Sequence, residues 1–142
     1  MKKIIIICLL LFTLGCAKKS ISVDKFKDIM RDNGYYVISI KDQFSNYDYI
    51  KEAYLARNDS INVEFYIMID EENTQAFYLY NKEVIEAYKT KYDTYKETDT
   101  RYTLLTDEAY MLISYIDNTC VYVSTDIKNK DKVNNIIKKL GY

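Results

Sequence analysis

The sequence predicts an α+β fold in which an antiparallel sheet, built from two runs of three strands, packs against helices on one face. Two kinds of segment support this prediction: some alternate apolar and polar residues as strands do, and others space apolar residues as helices do. The clearest alternation covers residues 61–70, where every second residue from Ile61 to Ile69 is apolar. The predicted element order is α-βββ-α-βββ-α, and the strand–helix joints alone also permit a mixed sheet.

The first half of the domain is expected to contain one helix and three strands. Ser22 is placed to cap the helix, and Asn33-Gly34 ends it, because glycine readily adopts the left-handed conformation of a helix terminus. The three strands are predicted over residues 35–40, 50–57 and 61–70. A polar loop (42–48) and the turn residues 58–60 separate them.

A long helix is predicted from residue 70 to about Tyr95. Its inner face is expected to consist of Phe77, Tyr80, Val84 and either Ala87 or Tyr88. Three strands then follow, over residues 102–105, 109–116 and 119–125, with Asp117-Asn118 as a two-residue hairpin turn.

The chain closes with a helix that Asp126 caps and Gly141 ends. Its inner face is predicted to consist of Val133, Ile136, Ile137 and Leu140. This ending resembles that of the first helix, since Asn33-Gly34-Tyr35 corresponds to Leu140-Gly141-Tyr142. A duplicated unit and common capping chemistry both explain the likeness.

The start of the chain has the pattern of a secretory signal. Lys2 and Lys3 precede an apolar run from Ile4 to Leu14, which only Thr13 interrupts. A bilayer span needs about 20 apolar residues, so this run is too short to be one.

The run ends in the segment Thr13-Leu14-Gly15-Cys16-Ala17, which resembles the lipobox of bacterial lipoprotein precursors. The resemblance implies cleavage between Gly15 and Cys16 and attachment of diacylglycerol to the Cys16 sulfur. The chain then divides into a signal peptide (1–15), a lipidated tether (16–21) and a single domain (22–142). The family usually has leucine where this chain has Thr13. Two alternatives are cleavage after Ala17, which would release a secreted protein, and an uncleaved anchor.

Composition narrows the classes of function. The chain contains no histidine, which excludes Ser-His-Asp and Cys-His catalysis and imidazole metal ligands. Without the two leader lysines it has 18 basic and 21 acidic residues, a balance that argues against nucleic acid as a partner. Cys120 has no disulfide partner once Cys8 leaves with the leader and Cys16 is lipidated, and it is expected to act as a small apolar residue in a strand. We expect no cofactor and no metal.

Two short motifs have catalytic or metal-binding readings as well as structural ones. Ser22-Val-Asp-Lys25 matches the Ser-x-x-Lys spacing of penicillin-binding proteins and β-lactamases, but Ser-Asp-Asn and Lys-Thr-Gly are absent from the chain. The run Asp70-Glu71-Glu72 offers oxygen ligands for a hard cation, without the spacing of a calcium loop. Helix capping and the helix dipole explain both motifs.

Tyrosines provide the candidate recognition surface. Tyr88, Tyr92 and Tyr95 are spaced to share one face of the predicted long helix, and Tyr66 and Tyr122 lie on predicted strands. The alternative is that these rings fill the core, since the chain holds 16 tyrosines and its favoured residues have AT-rich codons. The last helix is basic, through Lys128, Lys130, Lys132, Lys138 and Lys139. It could face a membrane or an anionic wall polymer, or be a solvated surface.

The mature layout, with its closing segment from Lys138 to Tyr142, resembles small surface lipoproteins of Gram-positive bacteria with AT-rich genomes. The resemblance implies no specific activity. We expect a lipid-anchored binding module on the extracytoplasmic face of the cell membrane, with an envelope protein or a wall component as its partner. The alternatives are a small envelope hydrolase or transferase that uses Asp, Ser or Tyr side chains, and a surface inhibitor or immunity-type lipoprotein.

Overall fold

A computed structural model describes residues 19–142. Its helices are α1 (Val23–Asp32), α2 (Glu71–Glu86) and α3 (Lys130–Lys139). Its strands are β1 (Tyr36–Ser39), β2 (Ile50–Arg57), β3 (Asn62–Met68), β4 (Thr94–Thr98), β5 (Arg101–Leu105), β6 (Ala109–Ile116) and β7 (Thr119–Asp126). Short 3₁₀ turns occupy Lys41–Phe44 and Ile127–Asn129. Among these residues, no helix has the length and apolar character needed to cross a membrane.

The seven strands of residues 19–142 form one open sheet in the order β1-β2-β3-β7-β6-β5-β4. Every neighbouring pair is antiparallel. The two strand runs meet at the centre of the sheet, where Phe65 of β3 lies opposite Val121 of β7. The α+β class and the antiparallel sheet predicted from the sequence are therefore confirmed.

Helices cover both faces of the sheet, so the expectation of helices on a single face is wrong. Along β3, Val63 and Phe65 pack with α1 and α3, whereas Tyr66 and Met68 point to the opposite side, which α2 covers. We call these the α1/α3 face and the α2 face. Both faces need a cover because the central strands are apolar on both sides.

Local sequence chemistry fixes the helix starts and turns as predicted. The Ser22 hydroxyl accepts a hydrogen bond from the Lys25 amide (3.3 Å), and the Asp70 carboxylate accepts one from the Asn73 amide (2.8 Å). Asp117 has a positive φ of 51°, as a tight hairpin turn between β6 and β7 requires. Ser22 and Asp70, the first residues of the two candidate motifs, thus serve as helix caps.

The second strand run has four strands rather than three, because residues 94–98 form the edge strand β4. Helix α2 ends at Glu86 instead of continuing to Tyr95. Beyond it the chain turns, and the Asp93 carboxylate accepts a hydrogen bond from the Thr90 amide (2.7 Å). Every residue of β4 is exposed, so the strand lacks the apolar alternation that marked the others.

Helix α2 also turns a different face to the sheet than predicted. Its buried residues are Thr74, Tyr78 and Ile85. The Tyr78 ring packs against Tyr115 of β6, with centroids 5.0 Å apart. The residues expected on the inner face point outward: Tyr80, Val84, Ala87 and Tyr88 are exposed, and Phe77 is half-buried. Helix α2 has two apolar stripes, and packing selects the one that contains Tyr78.

Helix α3 follows the prediction closely. Val133, Ile136, Ile137 and Leu140 are all buried on the α1/α3 face. The 3₁₀ turn that Asp126 caps precedes the helix, so the helix itself starts at Lys130. Because α2 follows β3 and α3 follows β7 on opposite faces, the two halves of the domain do not share one arrangement.

Candidate binding surface

The residues predicted for cleavage and lipidation, Gly15 and Cys16, lie outside the described residues. The described chain begins close to the β6–β7 turn, where the Ser20 amide donates a hydrogen bond to the Asp117 carboxylate (3.1 Å). A tether from Cys16 to Ser20 spans at most about 15 Å when fully extended. Any anchor at Cys16 would therefore hold this end of the sheet close to the membrane.

The tyrosines of the predicted recognition surface do not share one helix face. Tyr88 and Tyr92 lie in the turns after α2, and Tyr95 lies on β4. Tyr95 stacks on Tyr102 of β5, with ring centroids 6.0 Å apart, and the Lys89 ammonium lies 3.4 Å from the Tyr95 centroid. Tyr92 is the most open of the group, 80% exposed.

Tyr66 and Tyr122 point to the α2 face, as does Glu64, which is paired in register with Tyr122. The Tyr66 hydroxyl donates a hydrogen bond to the half-buried Glu64 carboxylate. Burial raises the pKa of the Glu64 carboxyl, and the Tyr66 hydrogen bond opposes that effect. Burial raises the pKa of the Tyr122 hydroxyl too, and the nearby Glu64 and Tyr88 add to the shift.

The largest concentration of rings forms an aromatic cleft on the α2 face. It encloses about 400 Å³ between the loop that precedes β2 and the first half of α2. Its lining residues carry no formal charge: Phe44, Tyr47, Tyr49, Ile50, Tyr66, Phe77, Tyr80 and Asn81. Of the predicted recognition residues, only Tyr66 belongs to this cleft.

Contacts between neighbouring rings hold the walls of the aromatic cleft. Phe44 meets Tyr66 edge-on at 5.5 Å between centroids, and Tyr66 meets Phe77 of α2 at 4.8 Å. Tyr47 meets Tyr49 edge-on at 5.7 Å on the loop side. Since Tyr66 is buried at the base and contacts both walls, it ties the loop to the helix.

The outer face of α2 continues the apolar surface beyond the aromatic cleft. Tyr80 lines the cleft and is 66% exposed, while Leu79 and Val84 are 54% and 37% exposed. Tyr80, Val84 and Tyr88 are spaced four residues apart, and Tyr88 lies just past the end of the helix. We call Leu79, Tyr80 and Val84 the outer α2 stripe.

Sequence reasoning missed most of the aromatic cleft, although one signal for it was present. The sequence predicts a polar loop over residues 42–48, yet Phe44, Tyr47 and Tyr49 lie within or beside that segment. Three aromatic residues fall within six positions of this loop, although no strand or helix pattern there calls for them. Such a density of rings in a loop indicates a binding surface. The spacing of Tyr80 and Val84 predicts an inner helix face, whereas the structure exposes both side chains.

The other candidates have structural positions. Cys120 is buried, and burial raises the pKa of its thiol well above the ordinary value. Glu71 and Glu72 are exposed in the first turn of α2, beside the cap residue Asp70. Within residues 19–142, Cys, Asp and Glu side chains form no group of three placed to hold a metal ion.

Comparisons with known proteins leave the surface itself as the basis for assigning a function. No protein-family model matches this chain, and neither a curated protein nor a solved structure matches it.

Proposed function

We propose that this chain is a membrane-tethered binding module at the extracytoplasmic face of the cell membrane, and that it binds another protein of the envelope. The aromatic cleft and the outer α2 stripe are the contact surface. The lipobox-like segment that ends at Cys16 supports the tether. The signal peptide, the lipidation of Cys16 and the location at the cell membrane are all part of this proposal.

The orientation of α2 is the observation that carries the proposal. Leu79, Tyr80 and Val84 face solvent on a helix that has a second, buried apolar side. Tyr80, which lines the aromatic cleft, and Val84 are four residues apart on one side of α2, and a large exposed apolar patch marks a site where another protein packs. A helix that served only the core would place polar residues on its outer side.

The aromatic cleft supplies what an interface needs at its centre. Binding energy concentrates in a few large side chains that fill well-packed pockets, and tyrosine is enriched among them. A cleft of about 400 Å³ accommodates one large apolar or aromatic side chain of a partner. Because the lining is uncharged, the inserted segment should also be uncharged, with its polar groups at the rim.

The combined surface favours a protein over a small molecule as the ligand. A small molecule would occupy the aromatic cleft and leave Leu79 and Val84 exposed. A protein that inserts one side chain into the cleft would cover the outer α2 stripe as well. Standard interfaces bury about 800 Å² on each partner, which requires this larger area.

Site-specific photo-crosslinking in living cells tests the contact surface. A photoreactive residue replaces Leu79 in the full-length chain, and a matched control carries it at Asn135, which is exposed on α3. We expect one discrete protein adduct from position 79 and none from position 135. Tyr47→Ala, on the opposite wall of the aromatic cleft, should reduce the adduct several-fold without unfolding the domain, since Tyr47 is exposed.

Equal adducts from both positions, or an adduct at position 79 that Tyr47→Ala leaves unchanged, would contradict the proposed surface. The tether has its own test, the intact mass of the protein extracted from membranes. A diacylglyceryl-modified chain starting at Cys16 supports the anchor. An unmodified chain starting at Lys18 would refute it.

A further inference from the structure

A second cleft lies on the α1/α3 face, on the side of the sheet opposite to the aromatic cleft. It encloses about 440 Å³ where β4 and β5 extend beyond α3. Its floor is formed by side chains that alternate with those of the core: Tyr102 and Leu104 of β5 point to the α2 face, so Arg101 and Thr103 point into this cleft.

Hydrogen-bond donors dominate the polar lining of this second cleft. Strand register places Lys96 of β4 opposite Thr103, and Thr98 opposite Arg101. We call the cleft the basic cleft, after the group Lys96, Arg101, Lys130, Thr98, Thr103 and Asn134. Leu105 and the Tyr110 ring lie in the floor, and Thr94 and Tyr95 of β4 also line the cleft. Among residues 19–142, no carboxylate belongs to the lining.

Asn134 is held in one orientation at the wall of the basic cleft. Its side-chain oxygen accepts hydrogen bonds from the Tyr110 hydroxyl (2.8 Å) and from Nη2 of Arg101 (3.1 Å). Because these two contacts occupy the Asn134 oxygen, the NH₂ group of the same side-chain amide points away from Tyr110 and Arg101 and offers two N–H donors. The same contact orients the Arg101 guanidinium, whose remaining N–H groups stay available because it has five donors.

The cations of the basic cleft are not neutralised by neighbouring acids. Within residues 19–142, the ion pairs involve Lys82 and Lys128, and none includes Lys96, Arg101 or Lys130. Three cations around one concave surface repel each other unless an anion lies between them. Strand β4 is an edge strand, so the cleft is open to solvent along one side.

We propose that the basic cleft binds a phosphorylated ligand with at least two negative charges, such as a diphosphate or consecutive phosphodiesters. A guanidinium fork, two ammonium groups, hydroxyls and an oriented amide match an anion with many oxygens. A single carboxylate would engage only part of this donor set. The proposal does not depend on the aromatic cleft or on the tether.

Titration calorimetry of the full-length chain in a neutral detergent tests this site, with inorganic tripolyphosphate as the probe. Arg101→Gln and Lys96→Gln should each weaken binding about tenfold, since each removes charge-assisted hydrogen bonds. The matched control is Lys138→Gln, which makes the same change of charge on an exposed residue of α3 outside the basic cleft. Arg101→Lys keeps the charge but loses the fork, and should have an intermediate affinity.

Vesicles that contain phosphatidic acid, whose phosphomonoester carries up to two negative charges, distinguish a lipid headgroup from a soluble phosphate as the source of the ligand. Loss of vesicle binding in Lys96→Gln identifies the headgroup, and loss of tripolyphosphate binding alone identifies a soluble ligand. Absence of binding to both probes at millimolar phosphate overturns the proposal, as does an equal loss in Lys138→Gln. Lys96 is exposed on the edge strand, so its variant remains informative if Arg101→Gln fails to fold.

Discussion

The Tyr66 hydroxyl donates a hydrogen bond to the Glu64 carboxylate, two residues earlier on the same face of β3. Glu64 is thus a half-buried acid on the α2 face of the sheet. No lysine or arginine among residues 19–142 forms an ion pair with it. A buried carboxylate without a cation is stabilised in its neutral form, which agrees with the raised pKa of Glu64.

Glu64→Gln should make the stability of the domain less dependent on pH. Because the folded-state pKa of Glu64 is raised, its favourable contribution is present below the unfolded-state pKa of about 4.3 and is lost as the pH rises through the folded value. We expect the variant to have a higher free energy of unfolding than the parent at pH 7 and a similar one at pH 4. Denaturant titrations at both pH values measure the difference. Glu108→Gln, in an exposed loop, is the control, and an equal effect of Glu64→Gln at both pH values would contradict the prediction.

Tyr102→Phe should be neutral or stabilising, by up to about 1 kcal/mol. Within residues 19–142, the buried Tyr102 hydroxyl has no hydrogen-bond partner, and burial raises its pKa to about 12. The variant removes an unsatisfied polar group and keeps the ring. Tyr66→Phe provides the contrast, because it leaves the Glu64 carboxylate without its donor and should cost about 1–3 kcal/mol. Thermal unfolding of the two variants checks the opposite signs.

Truncation on the two sides of α2 should have very different effects. Ile85→Ala removes a fully buried side chain and should lower the free energy of unfolding by about 2–5 kcal/mol. Val84→Ala, one residue earlier on the outer α2 stripe, should change it by less than about 0.5 kcal/mol. Denaturant unfolding compares the pair. A larger loss in Val84→Ala than in Ile85→Ala would mean that α2 turns Val84 rather than Ile85 to the sheet.

Phe26→Ala should be among the most damaging single substitutions, with a loss of about 3–5 kcal/mol. Phe26 is fully buried and stacks on Phe65 of β3, with centroids 4.5 Å apart and planes inclined by 15°. The contact joins α1 to the centre of the sheet. Tyr36→Ala, which truncates a ring that is mostly exposed, is the control and should cost little. The melting temperatures of the two variants test the contrast.

Most of the fold was predictable because local chemistry determines it. Ser22, Asp70 and the Asp117-Asn118 turn are read from residue type and position, and the alternation in β3 sets which side chains face each helix layer. Strand β4 was not predictable in this way. It is an exposed edge strand that pairs with β5 through its backbone, and backbone pairing leaves little trace in an apolar pattern.

The candidate surfaces were less predictable, since they depend on which of two apolar stripes α2 buries. Spacing alone places Tyr80 and Val84 inward as readily as Tyr78 and Ile85. Which of the two stripes is buried depends on the side chains of the sheet, where the Tyr115 ring packs against the Tyr78 ring. The basic cleft joins Lys96 and Arg101 to Asn134, and sequence distance gives no indication of that meeting.

The position of the aromatic cleft and the basic cleft on opposite faces of one sheet has a consequence for occupancy. The sheet separates the two clefts, so a ligand bound in one cleft does not sterically block a ligand in the other. If both proposed ligands bind, the domain would act as an adaptor that holds a protein on one side and a phosphorylated molecule on the other. Each bound partner would then raise the local concentration of the second near the first. Two individually weak contacts would in this way hold both ligands together for longer than either contact alone.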